Sequence, residues 1–466
     1  MATRRDQLQS YQFLMQRVTS ALVIHETDPS RSPFRRFAGA VFAGLMIAVI
    51  ATAGVTVYGL FVQGGKTSWR AGEAIVTEKE TGARYIYRDG TLYPVANYAS
   101  ARLLGAHVPV SASRNSLAGT PRGTTLGITG APDLVPRAQD LLRGGWTLCA
   151  SPDSDAGGAR TARTVLLVGR TPAEGQPLGS AAILVTAVDD AERRIHLIWH
   201  NRRFEIQDSA MVLKALAWEA LVPVPVRLGW LNGLAAGQPI GRIAVPDAVS
   251  AFRGVPSGQL YYVRNAAGNT QFYLALPDGL AKVTPMQADI LRGDPVANPQ
   301  GSAPQEIQAG QVVESQGTIV AGGDAQPPTA TPRVVTPHSA QAPLCAVFPP
   351  DAQDPTVLTD AAVPAGSPVA DTGGAETGGG SVADRVLVPP GLGALVYALP
   401  SAEATTGTLL LVTEPGRAYP VEPQVAMDRL GLPLAAAVRL PTSLVNRVPL
   451  GPALDPAAAG LPVTGS

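Results

Sequence analysis

The stretch "RYIYRDGTLYPVANYASARLLG" (residues 84–105) reads as two short apolar strands, a tight turn between them and a helix that ends at a glycine. The same plan returns in "LLVTEPGRAYPVEPQVAMDRLG" (residues 410–431), with the turn glycine and the final glycine equally far apart. Two more divergent copies are "IHLIWHNRRFEIQDSAMVLKALAWEA" (residues 195–220) and "QFYLALPDGLAKVTPMQADILRG" (residues 271–293). The sequence therefore predicts one small β-rich unit four times.

A tight turn joins the two strands of each copy. Gly90, Gly279 and Gly416 are its predicted turn residues in three copies, and Asn201 takes that place in the remaining one. Glycine and asparagine accept the positive φ that such hairpin turns require. The turn residues that recur in the four copies thus have a structural role.

The copies are too far apart for a solenoid, whose repeats follow one another every 20 to 50 residues or so. Echoes such as "NSLAGTPRG", "NGLAAGQPIG" and "NRVPLGP" lie between or after the copies, which indicates strands given to a shared core and an approximate internal duplication. The segments 293–344 and 351–381 are rich in Gly, Pro, Ala and Thr and are typical of extended loops.

An uncharged apolar segment, "FAGAVFAGLMIAVIATAGVTVYGLFV" (residues 37–62), precedes the first copy. A bilayer core needs about 20 apolar residues in a helix, so this segment is long enough to span one. Basic residues on its N-terminal side outnumber those just beyond it, which predicts a cytoplasmic N-terminus and an extracytoplasmic remainder. The residues compared are Arg17, Arg31, Arg35 and Arg36 against Lys66 and Arg70.

The segment before the span predicts an amphipathic helix with one apolar face. That face recurs at spacings of three and four residues, and its members are Leu8, Tyr11, Met15, Val18 and Leu22. A helix this short has no core of its own, so we expect the face to bind a partner helix, another subunit or, alternatively, the membrane surface.

Composition agrees with a β-rich membrane protein and excludes some classes. Lys plus Arg and Asp plus Glu number 36 each, so the chain lacks the positive charge that nucleic-acid binding requires. Only 15% of residues are charged, while 49 are Gly and 42 are Pro. Those counts favour short strands, turns and extended linkers over a helical bundle.

The run "RRDQLQSYQFLMQRVTSALV", the following "DPSRSPFRR" and the single span resemble the N-terminus of the EccB family of the type VII (ESX) secretion system. The resemblance implies an α+β, β-rich fold: an elongated extracytoplasmic domain with a central β core and four small repeat domains in a quasi-two-fold arrangement. It also implies a structural membrane subunit that frames the export channel, self-associates and binds the C, D and E components. Contact with the mycosin protease is compatible with it.

The sequence predicts eleven segments along the chain. They are the cytoplasmic helix 1–36, the transmembrane helix 37–62, a linker 63–80, repeat 1 at 81–108, a core segment 109–192, repeat 2 at 193–222, a core segment 223–268, repeat 3 at 269–295, a core segment with loops 296–400, repeat 4 at 401–434, and a core strand with a C-terminal tail 435–466.

Cys149 and Cys345 are the only cysteines, and both follow the span. Thiols are not kept reduced outside the cytoplasm, so we expect the pair to form a disulfide. Two free buried thiols are the alternative.

No motif supports catalysis, and we expect no cofactor. "GLFVQGGKTS" resembles a phosphate-binding loop, but Leu60 stands where its first glycine belongs and no strand precedes it, so an ATPase with Lys66 in that loop is a weak alternative even though the EccB family is sometimes labelled so. His196 and His200 lack nearby acidic or cysteine ligands and predict no metal site.

Two further motifs concern the cell wall. The final "LPVTGS" (residues 461–466) contains a sortase pattern but lacks the following apolar segment and basic tail that a sorting signal needs. Exposed rings on the first copy would favour a glycan-binding module as an alternative function, with Tyr85, Tyr87 and Tyr93 as candidates.

Overall fold

The computed structural model describes residues 3–24, 33–61, 67–154, 157–158, 160–316, 325–339, 341–364, 376–377 and 380–463. They form two compact units. The first comprises Met1–Ala71, Val76–Ala83 and Pro109–Thr120, and the second comprises Gly72–Ile75, Arg84–Val108 and Pro121–Ser466.

The described elements are mostly short strands. The helices are α1 Arg4–Ile24, α2 Pro33–Phe61, α3 Tyr98–Leu103, α4 Arg114–Leu117, α5 Ser209–Ala215, α6 Leu228–Leu231, α7 Pro285–Gly293, α8 Pro423–Asp428, α9 Thr442–Val445 and α10 Pro456–Ala459. The strands are β1 Ala74–Glu78, β2 Arg84–Arg88, β3 Thr91–Pro94, β4 Val108–Ala112, β5 Trp146–Ser154, β6 Arg160–Leu167, β7 Gln176–Pro177, β8 Ala182–Ala187, β9 Ile195–Trp199, β10 Arg202–Ile206, β11 Val224–Val226, β12 Leu260–Arg264, β13 Thr270–Leu276, β14 Gly279–Val283, β15 Gln305–Glu306, β16 Leu344–Phe348, β17 Thr356–Thr359, β18 Glu376–Thr377, β19 Gly380–Ser381, β20 Arg385–Leu387, β21 Ala394–Leu399, β22 Thr408–Thr413, β23 Arg417–Pro420 and β24 Val438–Pro441. The fold is therefore α+β and β-rich, as the sequence predicts.

The first unit contains the two long helices. α2 includes Phe37–Tyr58, which is long and apolar enough to cross a membrane and has none of its surface buried in the protein. Beyond α2, the indole of Trp69 is buried and donates a hydrogen bond to Ser116 Oγ at 3.0 Å. Arg114 pairs with the buried Glu78 at 3.1 Å. These contacts hold together the segments of the first unit that follow the apolar helix.

Three four-stranded sheets of the second unit share one strand order. Each has its third, second and first strands antiparallel in that order, and its fourth strand parallel to the first: β10-β9-β8-β11, β14-β13-β12-β15 and β23-β22-β21-β24. A helix between the third and fourth strands makes the crossover that a parallel return requires. The first copy has the same sequence of elements, from β1 through β2, β3 and α3 to β4.

The copies are longer than the sequence predicted. Their first and fourth strands lie in segments assigned above to the core: for example, β8 lies in 109–192 and β24 in 435–466. An isolated hairpin is marginally stable in water, and its open edges need partners. The first and fourth strands give the hairpin a partner edge and widen its apolar face.

The chain then returns to each third strand, where a residue pairs in parallel with the segment beyond the fourth strand. The four pairs are Leu92 with Arg122, Arg203 with Ala236, Leu280 with Glu314, and Ala418 with Leu450. In every copy the strand residue donates its N–H to the residue before its partner and accepts from the residue after it, at 2.7 to 3.0 Å. This ladder satisfies an edge that would otherwise be open.

An aromatic ring lies against a glycine beside this ladder in three copies. A Cβ on the glycine would lie 2.1 to 2.4 Å from the ring, and the pairs are Tyr93 with Gly123, Phe204 with Gly237, and Tyr419 with Gly451. In the remaining copy Ala281 and Ser315 take the two places. Where the ring is missing, the glycine is missing too, which indicates that the glycine is there to admit the ring.

A six-stranded sheet, β20-β6-β5-β16-β17-β7, forms the centre of the second unit. Trp146, Leu148 and Phe348 are fully buried in its core. Trp230 of α6 is also buried and donates a hydrogen bond from Nε1 to the carbonyl oxygen of Leu148 at 3.0 Å. The second copy is thereby fixed to the central sheet.

Candidate functional site

The candidate interaction surface is the apolar face of α1. Within the described residues its five predicted members, Leu8, Tyr11, Met15, Val18 and Leu22, are 47% to 75% exposed. Phe13 and Leu14 are 60% and 64% exposed as well. The predicted stripe left out both: Phe13 lies off the spacing of threes and fours, whereas Leu14 fits it, three residues after Tyr11 and four before Val18. The helix therefore presents a broad apolar surface, which is typical of a binding surface.

Polar side chains lie at the N-terminus of α1 and beside its apolar face. Thr3 donates hydrogen bonds to the carboxylate of Asp6 from its main chain (2.9 Å) and its hydroxyl (2.7 Å), and these bonds lower the pKa of Asp6. The guanidinium of Arg17 lies 5.6 Å from the centre of the Phe13 ring. A carboxylate in the first turn is favourable with the helix dipole, so the beginning of α1 is well defined.

The four predicted turn residues lie in or directly beside the hairpin turns of their copies. Gly90, Asn201 and Gly416 have φ of 81°, 62° and 70°, and each lies in the loop between the second and third strands. Gly279 instead pairs with Leu276 as the first residue of β14, and a Cβ there would lie 2.6 Å from the carbonyl oxygen of Val313. Gly279 also has a positive φ, 151°, so both the end of the hairpin and the close approach of the returning chain favour glycine there.

Cys149 and Cys345 form a disulfide between β5 and β16, where they are direct cross-strand partners. Both are fully buried among apolar neighbours that include Val165 and Leu167. The bridge joins central strands whose cysteines are 196 residues apart in the chain.

The two histidines have structural roles. His196 is 6% exposed on β9, and its pKa is lowered first by burial and then by the Arg203 guanidinium. His200 has φ of 44° in the turn before β10, and its ring stacks on Trp199 at 3.8 Å. No group of three or more His, Cys, Asp or Glu side chains that could hold a metal ion occurs in the part of the chain that the structure describes.

The tyrosines proposed for glycan binding are largely covered. Tyr85 is buried, and the Arg122 guanidinium lies 4.7 Å from its ring centre. Tyr93 is pressed against Gly123, and Tyr87 is half-buried. These rings form no open platform, so the glycan hypothesis loses the observation that motivated it.

The sequence did not predict that Arg203 is half-buried and Arg447 is buried. Burial lowers the pKa of both Arg203 and Arg447. The positive charge of Arg203 lowers the pKa of Arg447 further. Arg203 donates to Asn232 Oδ1 at 2.7 Å, and Arg447 donates to the carbonyl oxygen of Ser443 at 3.1 Å. Nothing in their local sequence signals burial, because only the packing of distant copies produces it.

The whole chain, from α1 to the last sheet, resembles one known protein family. A family model described as "Type VII secretion system ESX-1, transport TM domain B" matches residues 1–464. The chain belongs to this family. The resemblance of its N-terminal run to the EccB proteins is thereby confirmed.

Named EccB relatives match most of the chain. "ESX-3 secretion system ATPase EccB3" of Mycolicibacterium smegmatis is 28% identical over 478 residues, which cover 97% of this chain and 89% of the relative. "ESX-1 secretion system ATPase EccB1" of Mycobacterium tuberculosis is 27% identical over 301 residues, which cover 62% of this chain and 61% of the relative.

Solved structures share the EccB fold. The chain resembles one in "Structure of an intact ESX-5 inner membrane complex, Composite C3 model", with a TM-score of 0.60, 24% identity and coverage of 100% and 96% of the two chains. It also resembles one in "Structure of EccB3 dimer from the ESX-3 core complex", with a TM-score of 0.60, 24% identity and coverage of 83% and 100%. These likenesses establish the fold.

Two of the predicted motifs include residues outside the described ranges. Lys66, on which the weak ATPase alternative depends, is one, and the last three residues of the sortase-like "LPVTGS" are others. The names of the EccB relatives include the word ATPase. For this chain, that activity stays a question for experiment.

Proposed function

We propose that this EccB-family chain is a structural membrane subunit of a type VII secretion complex that anchors and frames the export channel. The exposed apolar face of α1 carries the proposal. Its side chains are left in solvent on a helix that precedes a membrane-length helix, at a cost of about 1.5–3 kcal/mol for each large apolar residue left unburied. A partner subunit that covers this face recovers that free energy.

The proposed topology is a single pass through the inner membrane with a cytoplasmic N-terminus. The excess of basic residues before the span supports this orientation. The disulfide between Cys149 and Cys345 fits the same orientation, because it lies in the part of the chain placed outside the cytoplasm.

The extracytoplasmic part is proposed to multimerise as a rigid frame. A stiff frame is consistent with a central six-stranded sheet, a disulfide within it and four copies of one β-rich unit. The quasi-two-fold arrangement of the four copies belongs to this proposal, with the matched ladders as its support. The related chains come from an inner membrane complex and from a dimer, which motivates self-association and contacts with the C, D and E components. Contact with the mycosin protease is part of the same proposal.

The test is a pair of charge substitutions on α1. Leu8→Asp and Met15→Asp, made together, place two carboxylates on the apolar face, whereas Gln9→Asp places one carboxylate outside the stripe. Each protein is purified from its native membrane in mild detergent, and the co-purifying C, D and E components are quantified. We expect the double variant to lose most of its partners and Gln9→Asp to keep them. Full retention by the double variant would remove α1 as the docking element.

A further inference from the structure

A groove of about 220 Å³ lies in the second unit, beside α7. One wall is the returning chain of the second copy, around Gln238 and Arg242, and the other is the segment of Gln326, Pro327 and Pro328. The two walls meet where the N–H of Gln238 donates to the carbonyl oxygen of Ala325 at 2.8 Å. The groove is thus bounded by ordered chain on both sides.

The floor is apolar and well fixed. Ile240, Met286 and Ile290 are buried and belong to one core cluster. The N–H of Met286 donates to the carbonyl oxygen of Thr329 at 3.0 Å, which holds the second wall against the start of α7. Thr331 adds a hydrogen bond to Asp289 at 3.1 Å. An aliphatic side chain can therefore rest on a preformed surface.

The polar lining is neutral. Gln207, Gln238 and Gln326 line the groove, and a side-chain amide both donates and accepts hydrogen bonds. Among the described residues that line the groove, Arg242 is the charged one, and its Nε lies 2.9 Å from Oδ2 of Asp294, whose side chain is 1% exposed. That ion pair balances the charge, so a charged ligand would lose hydration without gaining a counter-ion.

The main chain of the first wall offers further donors. Among the described residues, no main-chain hydrogen bond uses the N–H groups of Gly241, Arg242 or Ile243. Gly241 also lets the main chain of this wall pack closely on Gln207, because a Cβ at Gly241 would lie 3.0 Å from the Cβ of Gln207. Amide side chains together with available main-chain donors match the peptide group, which pairs with both.

We propose that this groove binds an uncharged peptide segment of another protein, with one aliphatic side chain on the Ile240, Met286 and Ile290 floor. The groove is smaller than the roughly 300–1,000 Å³ of sites for drug-sized ligands, which suits a side chain and its adjoining peptide groups. No aromatic ring occurs among the described residues that line it, so these residues offer no flat surface on which a sugar ring stacks. The chemistry favours a peptide over a glycan.

The test is a titration of the full chain in detergent with three probes. The first is an acetylated and amidated hexapeptide of alanine and proline with a central valine, the second has glutamate in place of the valine, and the third is a tetramer of N-acetylglucosamine. We expect saturable binding of the valine peptide, at least tenfold weaker binding of the glutamate peptide, and none of the glycan. Binding of the glycan in preference to the valine peptide, or no saturable binding of that peptide, would overturn the proposal.

Variants locate the binding. Gln207→Ala and Gln238→Ala, made together, remove two exposed amides, and we expect binding of the valine peptide to weaken about tenfold with an unchanged Tm. Gln424→Ala removes an exposed glutamine of α8 that bonds to Asp428 and serves as the matched control. Unchanged peptide binding in the double variant would place the site elsewhere. A change of oligomeric state in that variant alone would instead identify the occupant as a second copy of this chain.

Discussion

Replacing Gly237 with alanine should destabilise the protein by steric conflict with Phe204. The added Cβ would lie 2.1 Å from Cε1 of a ring that is 1% exposed, so the ring or the returning chain must move by more than an ångström. Overpacking of this kind costs about 1–3 kcal/mol, and the stiffer unfolded chain offsets about 0.4–1 kcal/mol. We expect a net loss of about 1–2 kcal/mol in the free energy of unfolding.

A double-mutant cycle separates this contact from general damage. Phe204→Ala alone should cost about 3–5 kcal/mol, because it empties a buried site. In the double variant the new Cβ meets no ring, as where Ala281 lies beside the ladder residue of the third copy. The double variant should therefore be at least about 1 kcal/mol more stable than the sum of the single effects predicts.

The assay is chemical and thermal unfolding of the full chain in detergent, followed by tryptophan fluorescence. Gly310→Ala is the matched control, since a Cβ at Gly310 meets no atom within 4 Å. We expect that control to change the unfolding midpoint little. Additive single effects, or equal losses from Gly237→Ala and Gly310→Ala, would refute the view that the glycine is there to admit the ring.

Three further predictions concern the bridge, a histidine and the ATPase alternative. Replacing Cys149 and Cys345 with serine should lower the free energy of unfolding by up to about 5 kcal/mol on the chain-entropy model, measured by urea unfolding, and equal stability of the reduced and oxidised wild type would contradict it. Burial, and then Arg203, lower the pKa of His196 in the folded state. The contribution of neutral His196 to folding stability is therefore complete above about pH 6.5 and is lost as the pH falls through the folded pKa. Unfolding midpoints from pH 7.5 to 4.5 should fall more steeply for wild type than for His196→Gln, and parallel curves would count against this. Phosphate release from ATP by the purified protein should be the same for wild type and Lys66→Ala, and release that the substitution abolishes would establish a nucleotide site.

Local sequence patterns predicted the local structure well. The turn signals at Gly90, Asn201 and Gly416 lie at hairpins, and the apolar run yields the one membrane-length helix of the described residues. Hairpins and long apolar helices depend on neighbours in the chain, which is why short patterns reveal them.

Long-range pairing was less visible in the sequence. The fourth strand of each copy pairs with the first strand across the intervening hairpin and helix, as β11 does with β8, so no local pattern reveals it. The hairpin at Gly279 was visible in the sequence, but the close approach of Val313 to this glycine was not, because Val313 lies far beyond the hairpin. The groove beside α7 could not be foreseen, since four separate segments of the chain form it.

The role as a membrane scaffold is tested most directly by purifying the tagged, unaltered protein from its native membrane in mild detergent. The mass of the particle and the identity of every retained protein are then measured together. The account predicts a particle on the megadalton scale that contains several copies of this chain with the C, D and E components. A protein that emerges alone, at the mass of one chain in its detergent micelle, would contradict it.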